Sequence, residues 1–213
     1  DLDLSLLTPV APYPATEMME LINARIEKMQ DESLKALLKA RIEQCGPQLM
    51  YYPAASKLHH AEKAGLLHHT STMLRMAEKV CEIYDSLDAD LLAAGVILHD
   101  LCKITEIAAD ELGMATDYTR EGMLIGHLVQ GVAELNRLAA RYPWLSVVTA
   151  CSEDPTFPGE RGDIADVVAR YGPWNEHDFF VSGSSAMVRP TLRKLAELQV
   201  PSVRIKYDSF GDM

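Results

Sequence analysis

The sequence predicts a mainly α-helical protein that ends in a small parallel α/β segment of about three strands. Three observations carry this reading. Apolar residues recur at helical spacing behind capping residues from Thr16 to Arg141. At Tyr142-Pro143 the character of the chain changes. Beyond that point β-like runs alternate with helical ones, which is the pattern of parallel βαβ units. The expected division is a helical part over 1–135 and a partial α/β part over 136–213.

Residues 1–15 are punctuated by Pro9, Pro12 and Pro14 and read as extended. Thr16 is the expected cap of a first helix to about Gln30, with Met18, Leu21, Ile22, Ile26 and Met29 on its apolar face. Asp31 is the expected cap of a second, with Leu34, Leu37, Leu38 and Ile42 as its stripe and Gly46 as its stop. A third helix is expected from near Leu66 to about Tyr84, with His69 in its first turn. Asp88 or Asp90 should start a fourth, apolar on most sides to Leu98 and therefore buried. It ends in the adjacent pair His99-Asp100. A loop with Gly113 follows. Thr119 should then cap a helix to about Arg141 that turns its apolar side, His127 included, toward the core. In the second part β-like runs fall at 145–151, 178–182 and 203–207, and helical runs at 163–171 and 184–198. Pro190 should kink the last helix or delay its start.

The bulk numbers limit the function classes. With 213 residues and 48% apolar composition the chain can bury a substantial core. A formal net charge of −11 argues against a surface that coats nucleic acid or anionic membrane. No run is long enough to cross a bilayer. No basic stretch followed by an apolar run opens the chain, so no secretory leader is expected. Cys45, Cys81, Cys102 and Cys151 form no CxxC pair and read as free thiols of a cytoplasmic protein.

Six of the seven histidines lie between His59 and His127. Imidazole and carboxylate together suit a divalent transition ion. One helix end can aim His99 and Asp100, ~100° apart, at one cavity. His69 and His127 from two other helices would complete most of a shell. Lys103 could hold a phosphate oxygen as a point charge. His68 reads as an exposed neighbour of His69, His59 and His60 as substrate contacts or structural residues, and His177 as surface.

These residues sit in motifs that resemble a known family. Lys57-Leu-His-His-Ala-Glu-Lys-Ala-Gly-Leu-Leu-His-His-Thr70, Leu91-Leu-Ala-Ala-Gly-Val-Ile-Leu-His-Asp-Leu-Cys-Lys-Ile104 and Tyr118-Thr-Arg-Glu-Gly-Met-Leu-Ile-Gly-His127 resemble, in order, three motifs of HD-domain metal-dependent phosphohydrolases. The branch is the one with bacterial 3'-5' exoribonucleases, and the resemblance covers roughly 5–135. It implies that His69, His99, Asp100 and His127 are metal ligands and that Lys103 contacts a phosphate. Asp100 and Lys103 are the expected catalytic residues, and the donor types suit one or two divalent ions of Mn, Fe, Zn or Co. The chain departs from the family in two ways. Cys102 stands where the family has Gly, and a left-handed helix end there would cost Cys about 1 kcal/mol. The paired-His segment and later Asp that close the family's site are missing, with Asp154, Asp163 and Asp166 as candidate replacements.

Residues from about 134 to 211 resemble a different family, the C-terminal end of ferredoxin–NADP reductase-type flavoenzymes. The resemblance rests on Tyr142-Pro-Trp-Leu, Ser152-Glu-Asp-Pro, Gly162-Asp-Ile-Ala-Asp-Val-Val168, Asp178-Phe-Phe-Val-Ser-Gly-Ser-Ser-Ala-Met-Val188 and Val200-Pro-Ser-Val-Arg-Ile-Lys-Tyr-Asp-Ser-Phe210. It implies pyridine-nucleotide contacts at Ser152, Gly183, Ser184 and Met187. The flavin barrel and the Gly-rich first βα turn are missing, so NAD(P) binding is not expected.

The leading expectation is a metal-dependent phosphohydrolase in which a metal-bound hydroxide attacks a phosphate ester, with a small phosphorylated substrate, a nucleotide or an RNA 3' end as partner. The alternatives are a catalytically incomplete metal-binding or assembly protein and a fragment of an NAD(P)H-dependent flavin reductase. Exposed strand edges in the α/β part suggest a homodimer.

Overall fold

The computed structural model describes residues 8–57 and 60–210. The chain divides into two units, 1–141 and 142–213. The first is built of helices. α1 (Ala15–Glu27) and α2 (Glu32–Cys45) are joined by a short turn, and a 3-10 turn (Gly46–Met50) follows. α3 (Gly65–Ile83), α4 (Ala89–Leu98) and the single turn α5 (Lys103–Glu106) come next. A small antiparallel hairpin, β1 (Ile107–Ala109) with β2 (Ala115–Tyr118), leads into α6 (Arg120–Arg141).

The starts and stops follow local chemistry. The Asp31 carboxylate accepts from the backbone of Ser33 and Leu34 and so starts α2. Asp88 does the same for α4 through Asp90 and Leu91. The Thr119 hydroxyl accepts from Gly122 at 2.9 Å at the head of α6. Gly46 ends α2 at a φ of 59°, which a glycine adopts without strain. At α1 the expected cap is displaced: Pro14, not Thr16, precedes the helix and offers no side-chain bond. The loop expected around Gly113 is the β1–β2 hairpin, its turn held by Asp110 accepting from Leu112 and Met114.

The core joins one face each of α1 to α4. Ile22, Ile26, Leu37, Leu38, Leu66, Leu67, Leu74 and Ile97 are almost fully buried. Each such side chain contributes roughly 1.5–3 kcal/mol against an exposed reference. Tyr52 enters the same core and donates its hydroxyl to the carbonyl of Ile107 at 2.7 Å.

α6 departs from expectation in two ways. It is not one continuous helix, because Gly126 breaks it with φ 67° and ψ 167°. Nor does its apolar side face the core: Met123, Leu124, Leu128, Val129 and Val132 are exposed, and Leu138 is buried.

The second unit carries β3 (Ala150–Cys151), β4 (Glu160–Arg161), α7 (Ile164–Tyr171), β5 (Phe179–Ser184), α8 (Ser185–Glu197) and β6 (Ile205–Phe210). Its strands form two separate parallel pairs, β3 with β4 and β5 with β6, where about three strands of one segment were expected. Its core is Val181, Val188, Leu195 and Val200, flanked by Val168, Trp174 and Ile205. Pro190 lies inside α8, which begins at Ser185 behind Ser184. The protein is thus mainly α-helical with a small parallel α/β part. Among the described residues no helix is long and apolar enough to cross a membrane.

Candidate metal centre

One helix position and one helix end converge in the first unit. His69 stands in the second turn of α3, and His99 caps the C-terminus of α4 with Asp100 directly after it. His69 Nε2 and His99 Nε2 are 3.2 Å apart. Each lies 3.3 Å from Asp100 Oδ2. The three donors form a nearly equilateral triangle. Ligands about a divalent ion with ~2.1 Å bonds stand ~3.0–3.4 Å apart, so this donor set fits such an ion without rearrangement. The three residues could hold a metal.

The surroundings orient these donors. His99 Nδ1 is 2.7 Å from the carbonyl of Val96 and donates to it, which leaves the Nε2 lone pair aimed at Asp100 and His69. Asp100 is buried, which by itself raises its pKa. Bonds from His69, His99 and Lys103 outweigh that and hold the carboxyl far below the usual range. Burial lowers the pKa of His99, but its bond to Asp100 and the charge there prevail and raise it.

Lys103, one turn beyond Asp100, places Nζ 2.8 Å from Asp100 Oδ2. His127 is farther out, with Nε2 3.7 Å from Asp100 Oδ1. The break at Gly126 frees the backbone N–H of His127, which donates to Glu106 Oε1 at 3.1 Å. The other Glu106 oxygen lies 2.8 Å from His127 Nδ1, off the line of a good hydrogen bond. Glu106 is buried, and the motifs do not single it out. The available signal was an acidic residue one helical turn from Lys103, in an otherwise apolar stretch.

The remaining expected residues fall elsewhere. His59 lies outside the described residues. His68 is not an exposed neighbour: it is half-buried, with Nδ1 2.8 Å from Glu62 Oε1. Cys102 is not strained, since its φ of −71° is right-handed, and burial raises the pKa of its thiol. Asp154, Asp163 and Asp166 belong to the second unit. So do Ser152, Gly183, Ser184 and Met187. There Gly183 is the last residue but one of β5, and Ser184 ends the strand and precedes α8. A Cβ at Gly183 would collide with the terminal methyl of Met187, so that side chain covers the glycine backbone.

The HD domain family model matches residues 58–170, more than half of the chain. The chain belongs to the HD domain family. The matched span contains His69, His99, Asp100 and His127 and runs into the segment that resembles the reductases, a resemblance that receives no support. The relatives of this HD protein include 3'-5' exoribonuclease YhaM of Bacillus velezensis and of Bacillus subtilis, each 40% identical over 129 residues. That alignment covers 61% of this chain and 40% of either relative. YhaM of Bacillus pumilus is 38% identical over the same length. The chain thus spans well under half the length of these relatives. No solved structure matches.

Proposed function

We propose that this HD domain is a metal-dependent phosphohydrolase centre acting on a phosphate ester, with an RNA 3' end or a nucleotide as substrate. The observation that carries the reading is the donor triangle of His69, His99 and Asp100, with edges of 3.2–3.3 Å. The 3'-5' exoribonuclease activity in the name of the YhaM relatives supports RNA. The net charge of −11 favours short ends over a long RNA track.

The residues of this triangle would hold a divalent ion of the Mn, Fe, Zn or Co class, which would supply an acidified water and a counter-charge for phosphoryl oxygens. The chain's own residues do the rest. His69, His99 and Asp100 would hold the ion, with His127, whose Nε2 stands 3.7 Å from Asp100 Oδ1, as the candidate fourth ligand. Asp100 stays ionised throughout the neutral range because its neighbours stabilise the anion. Lys103 gives one of its three donors to Asp100 and keeps others for a phosphoryl oxygen. Glu106 positions His127. A cavity of about 300 Å³ adjoins His99 and His127 and is lined by Leu98, Leu128, Val132 and Leu135, which suits the uncharged part of a substrate.

The test combines metal content with turnover. The chain loaded with Mn or Zn should hydrolyse bis(p-nitrophenyl) phosphate and trim short RNA from its 3' end, and Asp100→Ala should reduce both to background. Full metal occupancy without turnover of monoesters, diesters, nucleotides or short RNA would overturn the hydrolase and leave a metal-binding protein. A pyridine-nucleotide role for Ser152, Gly183, Ser184 and Met187 gains nothing from the geometry, because Met187 occupies the space at Gly183.

A further inference from the structure

A second group of donors converges beside the first and takes no part in it. His60 Nδ1 is 3.0 Å from His68 Nδ1. His68 Nδ1 is 2.8 Å from Glu62 Oε1, and His60 Nδ1 is 3.7 Å from that same oxygen. All three residues are half-buried.

No single proton on His68 Nδ1 serves both of its short contacts. An imidazole nitrogen has one in-plane position, filled either by a hydrogen or by a lone pair. If His68 Nδ1 carries a hydrogen, it can point at Glu62 or at His60 but not squarely at both. If it carries a lone pair, that lone pair meets the Glu62 carboxylate across 2.8 Å with no proton between them. A cation inside the triangle takes all three lone pairs together. The edges, 2.8 to 3.7 Å, bracket the ~3.0–3.4 Å spacing of ligands on an ion with ~2.1 Å bonds.

The backbone holds the donors there at some cost. His60 has a φ of 63° and Ala64 one of 60°, both left-handed and both in residues with a Cβ. Such conformations persist where the surroundings enforce them. The carbonyl of His60 accepts from Ala54 at 3.0 Å and packs on Gly65, where any Cβ would collide with it. The N–H of His68 is tied to the carbonyl of Ala64 at 3.0 Å. The turn and the start of α3 therefore present the two imidazoles and the carboxylate as a set.

We propose that His60, Glu62 and His68 form a second divalent transition-metal site, separate from the His69–His99–Asp100 centre. Two imidazoles, one carboxylate and an open side suit zinc and its neighbours, and do not suit magnesium or calcium, which prefer oxygen ligands. The sites adjoin, since the His60 and His69 rings are 5.4 Å apart centre to centre. An ion in the second site adds positive charge next to the first. Its value for an anionic substrate rests on the phosphohydrolase reading, but the existence of the site does not.

The experiment is stoichiometry on the whole chain. Metal-free protein is titrated with Co²⁺ and followed by its visible bands, and Zn²⁺ content is measured after equilibrium dialysis. Wild type should bind two equivalents. Asp100→Ala should keep one, and adding His68→Gln to it should leave none. Glu62→Gln touches only the second cluster and should lower wild type from two equivalents to one, or weaken the second at least tenfold, with an unchanged circular dichroism spectrum. A single equivalent in wild type, or two unaltered equivalents in Glu62→Gln, overturns the proposal. No turnover is measured, so a chain that fails as a hydrolase can still bind two ions, and a working hydrolase can bind only one.

Discussion

Asp100 gathers the centre through its two oxygens. Oδ2 meets His69, His99 and Lys103, while Oδ1 faces His127. A buried carboxylate so surrounded is stabilised as an anion, which a cation ligand requires. The residue behind His127 matters nearly as much. Glu106 accepts from its backbone and stands beside its ring. Glu106→Gln keeps the volume and removes the charge. It should weaken metal affinity about 10- to 100-fold, as loss of a carboxylate behind a ligating histidine does. A metal titration checks this, and an unchanged affinity would show Glu106 to be structural only. Cys102 supports the opposite of the expectation raised by the family motif. Its backbone is right-handed and its side chain is buried, so it relieves no strain by becoming glycine. Cys102→Gly should lower stability by about 1 kcal/mol, through added chain entropy and lost packing. A gain in denaturant midpoint would contradict this.

At the scale of elements, one carboxylate ties α4 to the turn between α1 and α2. Asp90 accepts from the Arg25 guanidinium at 3.0 Å and from the backbone N–H groups of Gln30 and Asp31 at 2.6 and 3.1 Å. Burial raises its pKa, but these bonds prevail and hold it below the ordinary value. Its contribution to stability is therefore complete above the unfolded pKa of about 3.9 and is lost as pH falls through the lower folded value. The stability difference between wild type and Asp90→Asn should be constant from pH 5 to 7 and shrink below about pH 4. Urea melts across that range check it, and a difference that grows on acidification would disprove it. The capping residues of α2 and α4 were readable because an N-cap acts within three residues of itself. The α6 break was not, since Gly126 in a helical pattern looks tolerable until its φ is known.

At the scale of the whole molecule, the β5–β6 pair leaves strand edges unpaired among the described residues. Such edges recruit further strands. A homodimer through them should show a light-scattering mass of twice 23.6 kDa. A monomer at all concentrations would remove it. His69, His99, Asp100 and His127 could be named from the linear chain, because motif order and helical period place them on converging elements. That the first three form a triangle while His127 stands off at 3.7 Å from the other Asp100 oxygen could not. Nor could Glu106, the His60–Glu62–His68 cluster or the uncovered face of α6. Helix limits, capping and the choice of ligand types depend on neighbours within one or two turns, and so they are written locally. Distances between α3, α4 and α6 depend on how whole helix faces pack, and a sum of many weak contacts leaves no single residue to announce it.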